Sequence, residues 1–249
     1  MTDQPMPSAG QVAIHQPNFF PWLGYFDKIA RSDAFVCLDH VQLPKSGSGT
    51  WINRVKLLIS GEGRWLTAPV RKGHGLQSIL DAEFDDAPWR RKAISTIQSS
   101  YRKAPHFAEA MEIIEPLVAN PESRVAEYNF ASTVAIAEAL GIDTAKIVRS
   151  SALAVEGASN ELLIALTRAA GGDTYLCGGG AGGYQQDEAF AAAGVTLTYQ
   201  NFAHPTYPQH GGAGEFLPGL SVIDALMNLG VDGTRSLLDS GASRAAAAV

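Results

Sequence analysis

The stretch HQPNFFPWLGYF, residues 15–26, sets His15, Gln16 and Asn18 among two prolines, three phenylalanines, a tryptophan and a tyrosine. An imidazole can touch a phosphate or move a proton, and neighbouring amides can position a substrate. The faces of Trp22 and Tyr25 suit a sugar ring or a nucleobase, since both ligands present flat apolar surfaces with polar edges. The same residues can equally serve structure. His15 can bond a backbone group at a strand end, and Phe19 and Phe26 can plug the first helix.

Asp39 closes a second apolar run, AFVCLD. A carboxylate there either caps the following turn or orients a substrate amine or hydroxyl, with Mg²⁺ as a further option. Lys45 follows in a loop and suits an anion clamp. Asn53, Arg54 and Lys56 follow on a strand, where alternation puts Arg54 and Lys56 on one face and Asn53 on the other. They are either anion-stabilising groups or solvated charges on an edge.

GGGAGG, residues 178–183, comes directly after a short apolar run. Its spacing matches neither GxGxxG nor GxxxxGKS, yet Gly178, Gly179 and Gly180 would let backbone N–H groups approach a ligand, with Tyr184 at the next helix start. HPTYPQH holds His204, Tyr207 and Gln209, and its H-x5-H spacing suits neither a metalloprotease helix nor a zinc finger. GxSxG and HExxH do not occur, so hydrolase chemistry has no motif behind it.

The elements that must position these groups follow from periodicity. QVAIH (11–15), AFVCLD (34–39), WINRVKLLIS (51–60), RWLTAPV (64–70), AKIVRSS (145–151), TYLC (174–177) and VTLTYQNF (195–202) read as strands. A short amphipathic helix is expected within LGYFDKIARSDAF on Leu23, Phe26, Ile29 and Ala30, another from Pro88 on the stripe Trp89, Ala93, Ile97 and Tyr101, and two more over 105–118 and 122–140. A further helix is capped by Ser159, another spans 186–193, and a last one spans 221–229. The expected fold is α/β: an open, mostly parallel, Rossmann-like sheet of the nucleotidyltransferase kind, with a helical subdomain at about 88–145. Residues 11–232 form one domain, between a flexible start (1–10) and a tail (233–249). The strand ends converge at His15–Gln16, Asp39–His40, Arg71–Gly75, Cys177–Gly183 and Asn201–His204, beyond which ligands bind in such sheets.

With 249 residues, 46% hydrophobic and 18% charged, the chain can bury a core. A net charge of −6 with interspersed signs argues against extensive nucleic-acid contact. Cys37 and Cys177 stand far apart, which favours a reducing compartment over a disulfide framework. The opening MTDQPMPSAG does not read as a secretory signal, and no run approaches the ~20 apolar residues of a membrane span. A cytoplasmic location is expected, and homo-oligomerisation is left open.

HQPNFFPWLGYFDKI, SDAFVCLDHVQ, NRVK, WLTAPV, YLCGGGAGGY, FAHPTYPQ and LPGLSVIDALMNLG occur in order and together resemble the WbqC-like protein family, over about residues 11–230. That resemblance implies a role beside bacterial surface-polysaccharide and O-antigen genes, where amino sugars are made and N-acylated. A local segment, LGYFDKIARSDAFVCLDHVQL, is similar to the opening of pantothenate synthetase and the nucleotidyltransferases, which implies ATP and Mg²⁺ as activators of a carboxylate. FPWLG stands where that group carries HxGH, which puts its usual histidine pair in doubt. The resulting expectation is an amide-forming transferase or ligase. His15 and Asp39 would be catalytic, and an acyl donor and an amino sugar or nucleotide sugar would be the small-molecule substrates. A non-catalytic nucleotide-sugar binder and an ATP-dependent nucleotidyltransferase are the alternatives.

Overall fold

Val12, Ala13 and Ile14 have both faces covered because β1 (Gln11–His15) is the middle strand of its sheet. A computed structural model describes residues 10–44, 51–73, 76–86, 88–178, 187–212 and 214–246, with side chains to residue 241. After β1 come α1 (Leu23–Arg31) and β2 (Ala34–Cys37), then the hairpin β3 (Arg54–Ile59) and β4 (Glu62–Thr67). Three helices follow, α2 (Trp89–Tyr101), α3 (Phe107–Ala119) and α4 (Val125–Ala139), and lead to β5 (Ile147–Arg149). The chain closes through α5 (Ser159–Ala169), β6 (Thr174–Cys177), α6 (Asp187–Ala192), β7 (Thr196–Tyr199) and α7 (Val222–Ala246).

The five-stranded sheet has the order β5-β2-β1-β6-β7, and every pairing is parallel. Counted along the chain the order is third, second, first, fourth, fifth, the open Rossmann-like arrangement expected from the sequence. Two apolar layers cover it. Val12, Ile14, Val36, Tyr175 and Cys177 pack against α5 and α6, while Ala13, Phe35 and Leu176 face α1, α7 and the helical insertion. The topology reverses between β1 and β6, and crevices open at such a point.

The insertion between β2 and β5 holds a separate antiparallel hairpin besides the three helices. Its two-residue turn, Ser60 and Gly61, has positive φ at both positions (54° and 82°), the twist that tight hairpins need. Phe19 and Phe20 are 1% exposed and Phe26 0%, so these members of the aromatic stretch are core. Phe19 stacks on Tyr128 with ring centroids 5.9 Å apart and meets Trp89 edge-on at 5.8 Å. Asn129, fully buried on α4, donates to the carbonyls of Pro17 (3.0 Å) and Ile52 (2.7 Å), sewing the loop after β1 to the entry of β3. From the far end of the chain, the Ser221 hydroxyl donates to the Phe20 carbonyl at 2.7 Å.

The C-terminal end departs from the sequence reading. The last helix does not stop at 229 but runs to Ala246 across a break at Gly230 (φ 69°, ψ −173°). It resumes because the Glu109 carboxylate accepts from the Val231 N–H at 3.0 Å, and Thr234 and Leu238 are buried behind it. Beyond the break the helix also meets the end of α4, where Arg235 donates to the Leu140 carbonyl. Ser159 does not cap α5 through its side chain, since it is already the first helical residue.

Replacing Asn129 by Ala leaves two buried carbonyls without their donor. The expected loss is about 2–4 kcal/mol of unfolding free energy, read from the urea midpoint at constant slope. An unmoved midpoint would show that the amide is not the clasp.

Candidate functional site

Between β1 and β6 the pairing runs Gln11↔Thr174, Val12↔Tyr175, Ala13↔Leu176 and stops. On either side it continues, to His15↔Cys37 with β2 and to Cys177↔Tyr199 with β7. The two central strands therefore part while their outer neighbours still hold them, and a cavity of about 920 Å³ opens at their carboxyl ends. Its volume falls in the range of small-molecule sites.

The Ile14 carbonyl, left over where β6 departs, is taken by the Lys28 ammonium at 2.9 Å. Lys28 projects from α1, is 2% exposed, and lines the cavity floor beside Ile14. Among the described residues no carboxylate lies within ion-pair distance of it. Its neighbour Asp27 is committed elsewhere, accepting from Gln200 Nε2 at 2.7 Å and facing Arg31 at 3.6 Å. Burial pulls the Lys28 pKa down to about 8, opposed by the Cys177 side chain. The ammonium still predominates at neutral pH.

His15 stands half-buried at the end of β1 with Nδ1 3.1 Å from the Gln16 carbonyl oxygen. An oxygen acceptor fixes the proton on Nδ1, so Nε2 carries a lone pair, and it has no partner among the described residues. The ring meets Tyr25 edge-on at 4.8 Å and Trp22 at 5.7 Å. Burial, followed by the positive charge of Lys28, holds its pKa down to about 3 against the opposing pull of the Gln16 carbonyl. The imidazole is neutral at physiological pH, an acceptor rather than a cationic phosphate contact.

His204 lines the same cavity with the opposite polarity. Its Nδ1 accepts from the Gly219 N–H at 3.4 Å, which leaves Nε2 as the donor, and burial lowers its pKa. Gln16, Trp22, Gly178 and Phe202 complete the walls. At the rim, Ser159 (φ 51°) and Asn201 (φ 48°) hold left-handed backbone, which costs more at serine than at asparagine. Such conformations cluster at ligand sites.

Of the sequence candidates, His15, Gln16, Trp22, Gly178 and His204 are brought together here. Tyr25 is buried behind them and donates to the Gln16 carbonyl at 3.2 Å. Asn18 is 3% exposed and does not line the cavity. Asp39, expected to be catalytic, is a structural carboxylate instead. It accepts from the Ser150 hydroxyl (2.9 Å), the Ser151 N–H (2.9 Å) and the Ser151 hydroxyl (2.8 Å), and so locks the end of β2 to the turn after β5. That arrangement realises the turn-capping alternative. No Asp or Glu is among the described residues lining the cavity.

Asn53 donates to the Ala68 carbonyl at 2.9 Å, and the Arg54 guanidinium stacks 4.3 Å from the Trp65 ring on the hairpin, so neither reaches the cavity. Tyr207 and Gln209 both donate to buried Asp224, at 2.8 and 3.1 Å, with Tyr101 on its other oxygen at 3.0 Å. That clasp holds the loop rather than a ligand. Lys45, Gly179, Gly180 and Tyr184 lie outside the described residues. The sequence reading missed Lys28, Asn160 and Gln200. Lys28 stands on α1, away from the strand ends on which the sequence reading rested, whereas Asn201 and Phe202 belonged to a strand end already singled out.

Lys28 and His15 both bind fewer protons folded than unfolded, between about 8 and 10.5 for the first and between about 3 and 6.5 for the second. Raising the pH through either window therefore favours the folded state. From about pH 8 to 10, wild type should gain on the order of 2–3 kcal/mol relative to Lys28→Met in chemical denaturation. Parallel stability curves for the two proteins would show that the lysine is not a buried cation.

Among the described residues no helix is long and apolar enough to cross a membrane. No solved structure matches the chain. The chain is 30% identical over 225 residues to Uncharacterized protein Rv1507c of Mycobacterium tuberculosis (strain ATCC 25618 / H37Rv), covering 89% of this chain and 95% of that one. The WbqC-like protein family matches residues 16–236, a span that takes in the cavity from Gln16 to His204. The conserved length and the family match agree, and the chain belongs to the WbqC-like protein family.

Proposed function

We propose that the cavity is the active site of an amide-forming transferase or ligase that N-acylates an amino sugar or a related amine, in surface-polysaccharide biosynthesis or a related route. The observation that carries this reading is the neutral His15 ring, whose Nε2 lone pair has no partner among the described residues and which stands beside an aromatic wall. In such a step the amine nitrogen attacks the acyl carbon and the C–N bond forms. The bond to the donor's leaving group breaks, and the amine's proton passes to Nε2. Trp22 and Phe202 offer ring faces to the sugar, and Gln16 and the His204 Nε2–H offer polar contacts to its edges.

An imidazole held near a pKa of about 3 is a weak base. A negative donor beside Lys28 offsets part of the charge that depresses it, so the donor binds before the proton moves. ATP–Mg²⁺ acting on a free carboxylate and a preformed thioester are both donors of this kind. The same weak basicity favours a second reading, a nucleotide-sugar-binding protein without turnover.

The test is N-acylation of a nucleotide-linked amino sugar, offered with acyl-CoA or with ATP–Mg²⁺ and an amino acid, followed by mass spectrometry. Whichever donor works should raise the melting temperature, by the equivalent of about 2.7 kcal/mol at 100 times its dissociation constant. His15→Gln should then cut turnover by ~10²–10⁴ while donor binding persists. Full turnover in His15→Gln removes the histidine from the reaction. Saturable binding with no amide from any donor replaces the enzyme by the binding protein.

A further inference from the structure

The charge at the bottom of the cavity asks for a ligand of its own. Lys28 has three N–H donors, one of which is spent on Ile14, and among the described residues no carboxylate pairs with it. A buried ammonium without a counter-ion is costly, and the fold keeps it where a water-filled or ligand-filled space begins. The same space is lined by Ser159 and Asn160, the first two residues of the eleven-residue helix α5. No side chain caps that helix end, which leaves first-turn N–H groups without a side-chain acceptor beside the lining residues Ser159 and Asn160. The first turn of α5 also carries Glu161, which is exposed to solvent and is not among the described lining residues, none of which is acidic.

We propose that the cavity holds an anion site for a phosphate-bearing ligand, its charge held between the Lys28 ammonium on the floor and the first turn of α5 at the rim. The inference rests on the cavity being the working site and names the ligand class that it takes. A phosphoryl group fits better than a carboxylate. Planar carboxylates are gripped by the fork of an arginine, and no arginine is among the described residues lining this cavity, whereas a lysine point charge with helix N–H groups matches oxygens spread over several directions. At about 920 Å³ there is room for a nucleoside diphosphate or a nucleotide-linked sugar whose ring end lies on the Trp22 wall.

Calorimetric titration with inorganic pyrophosphate, beside malonate at equal ionic strength, tests this without any turnover. Wild type should bind pyrophosphate saturably and more tightly than malonate. Lys28→Met should weaken that binding by about 10- to 100-fold. Asn160→Asp keeps the test open if the first variant folds poorly, because a negative charge in a first helical turn steadies the helix while repelling the anion. It should fold at least as firmly as wild type and bind pyrophosphate more weakly. Wild-type affinity in both variants, or no saturable binding to the wild type, overturns the site, and tighter binding of malonate overturns the phosphate. His15→Gln should bind pyrophosphate normally. If no donor yields an amide while pyrophosphate still binds, the acyl-transfer reading falls and the anion site stands.

Discussion

Everything in the cavity depends on one hydrogen bond, from the Lys28 ammonium to the Ile14 carbonyl. A buried carbonyl at the end of a central strand must find a donor. While β1 and β6 run together the neighbouring strand provides it. Past Ala13 and Leu176 they separate, and a side chain from α1 supplies what the sheet no longer does. The separation makes the crevice, the lysine keeps it from closing, and the charge that comes with the lysine sets the electrostatic character of the space. The neutrality of His15 is a second consequence of that charge, added to burial.

The buried carboxylates explain why the positive field survives. Asp27 ties α1 to β7 through Gln200, Asp39 ties β2 to the turn after β5, and Asp224 ties the 204–216 loop to α2 through Tyr101 and Tyr207. Asp39 and Asp224 accept through both oxygens from other elements, and Asp27 accepts from Gln200 through Oδ2. These acids brace the walls, and none is among the described residues lining the cavity. The aromatic stretch divides its work in the same way. Phe19, Phe20 and Phe26 join the core, whereas Trp22 turns to the cavity and continues onto the hairpin through Trp51, with ring centroids 5.0 Å apart.

Much of the fold could be read in the sequence because its strands are short, apolar and punctuated by glycine, proline or polar residues. The parallel order followed from alternation of strands and helices. The hairpin's detachment from the main sheet did not, since pairing partners leave no mark on periodicity. In the site, the strand-end rule found His15, Gln16, Gly178 and His204, all of which line the cavity. It failed at Asp39 because a carboxylate that closes a turn and one that meets a substrate look alike until Ser150 and Ser151, more than a hundred residues away, are brought beside it. Lys28 was hidden for the opposite reason. A lysine on a short amphipathic helix reads as solvent-facing, and only the parting of two strands makes room for it underneath.

The bond between Ser221 and the Phe20 carbonyl spans 201 residues, and Asn129 reaches Pro17 across 112. Contacts of such sequence separation form late, because the loop they close must first be ordered. On a ribosome the aromatic stretch emerges early and waits for α4, and then for the start of α7, before its backbone is fixed. Until nearly the whole chain has been made, an apolar segment with no finished pocket around it is exposed, which makes the interval of synthesis the period when this protein is most open to misassociation.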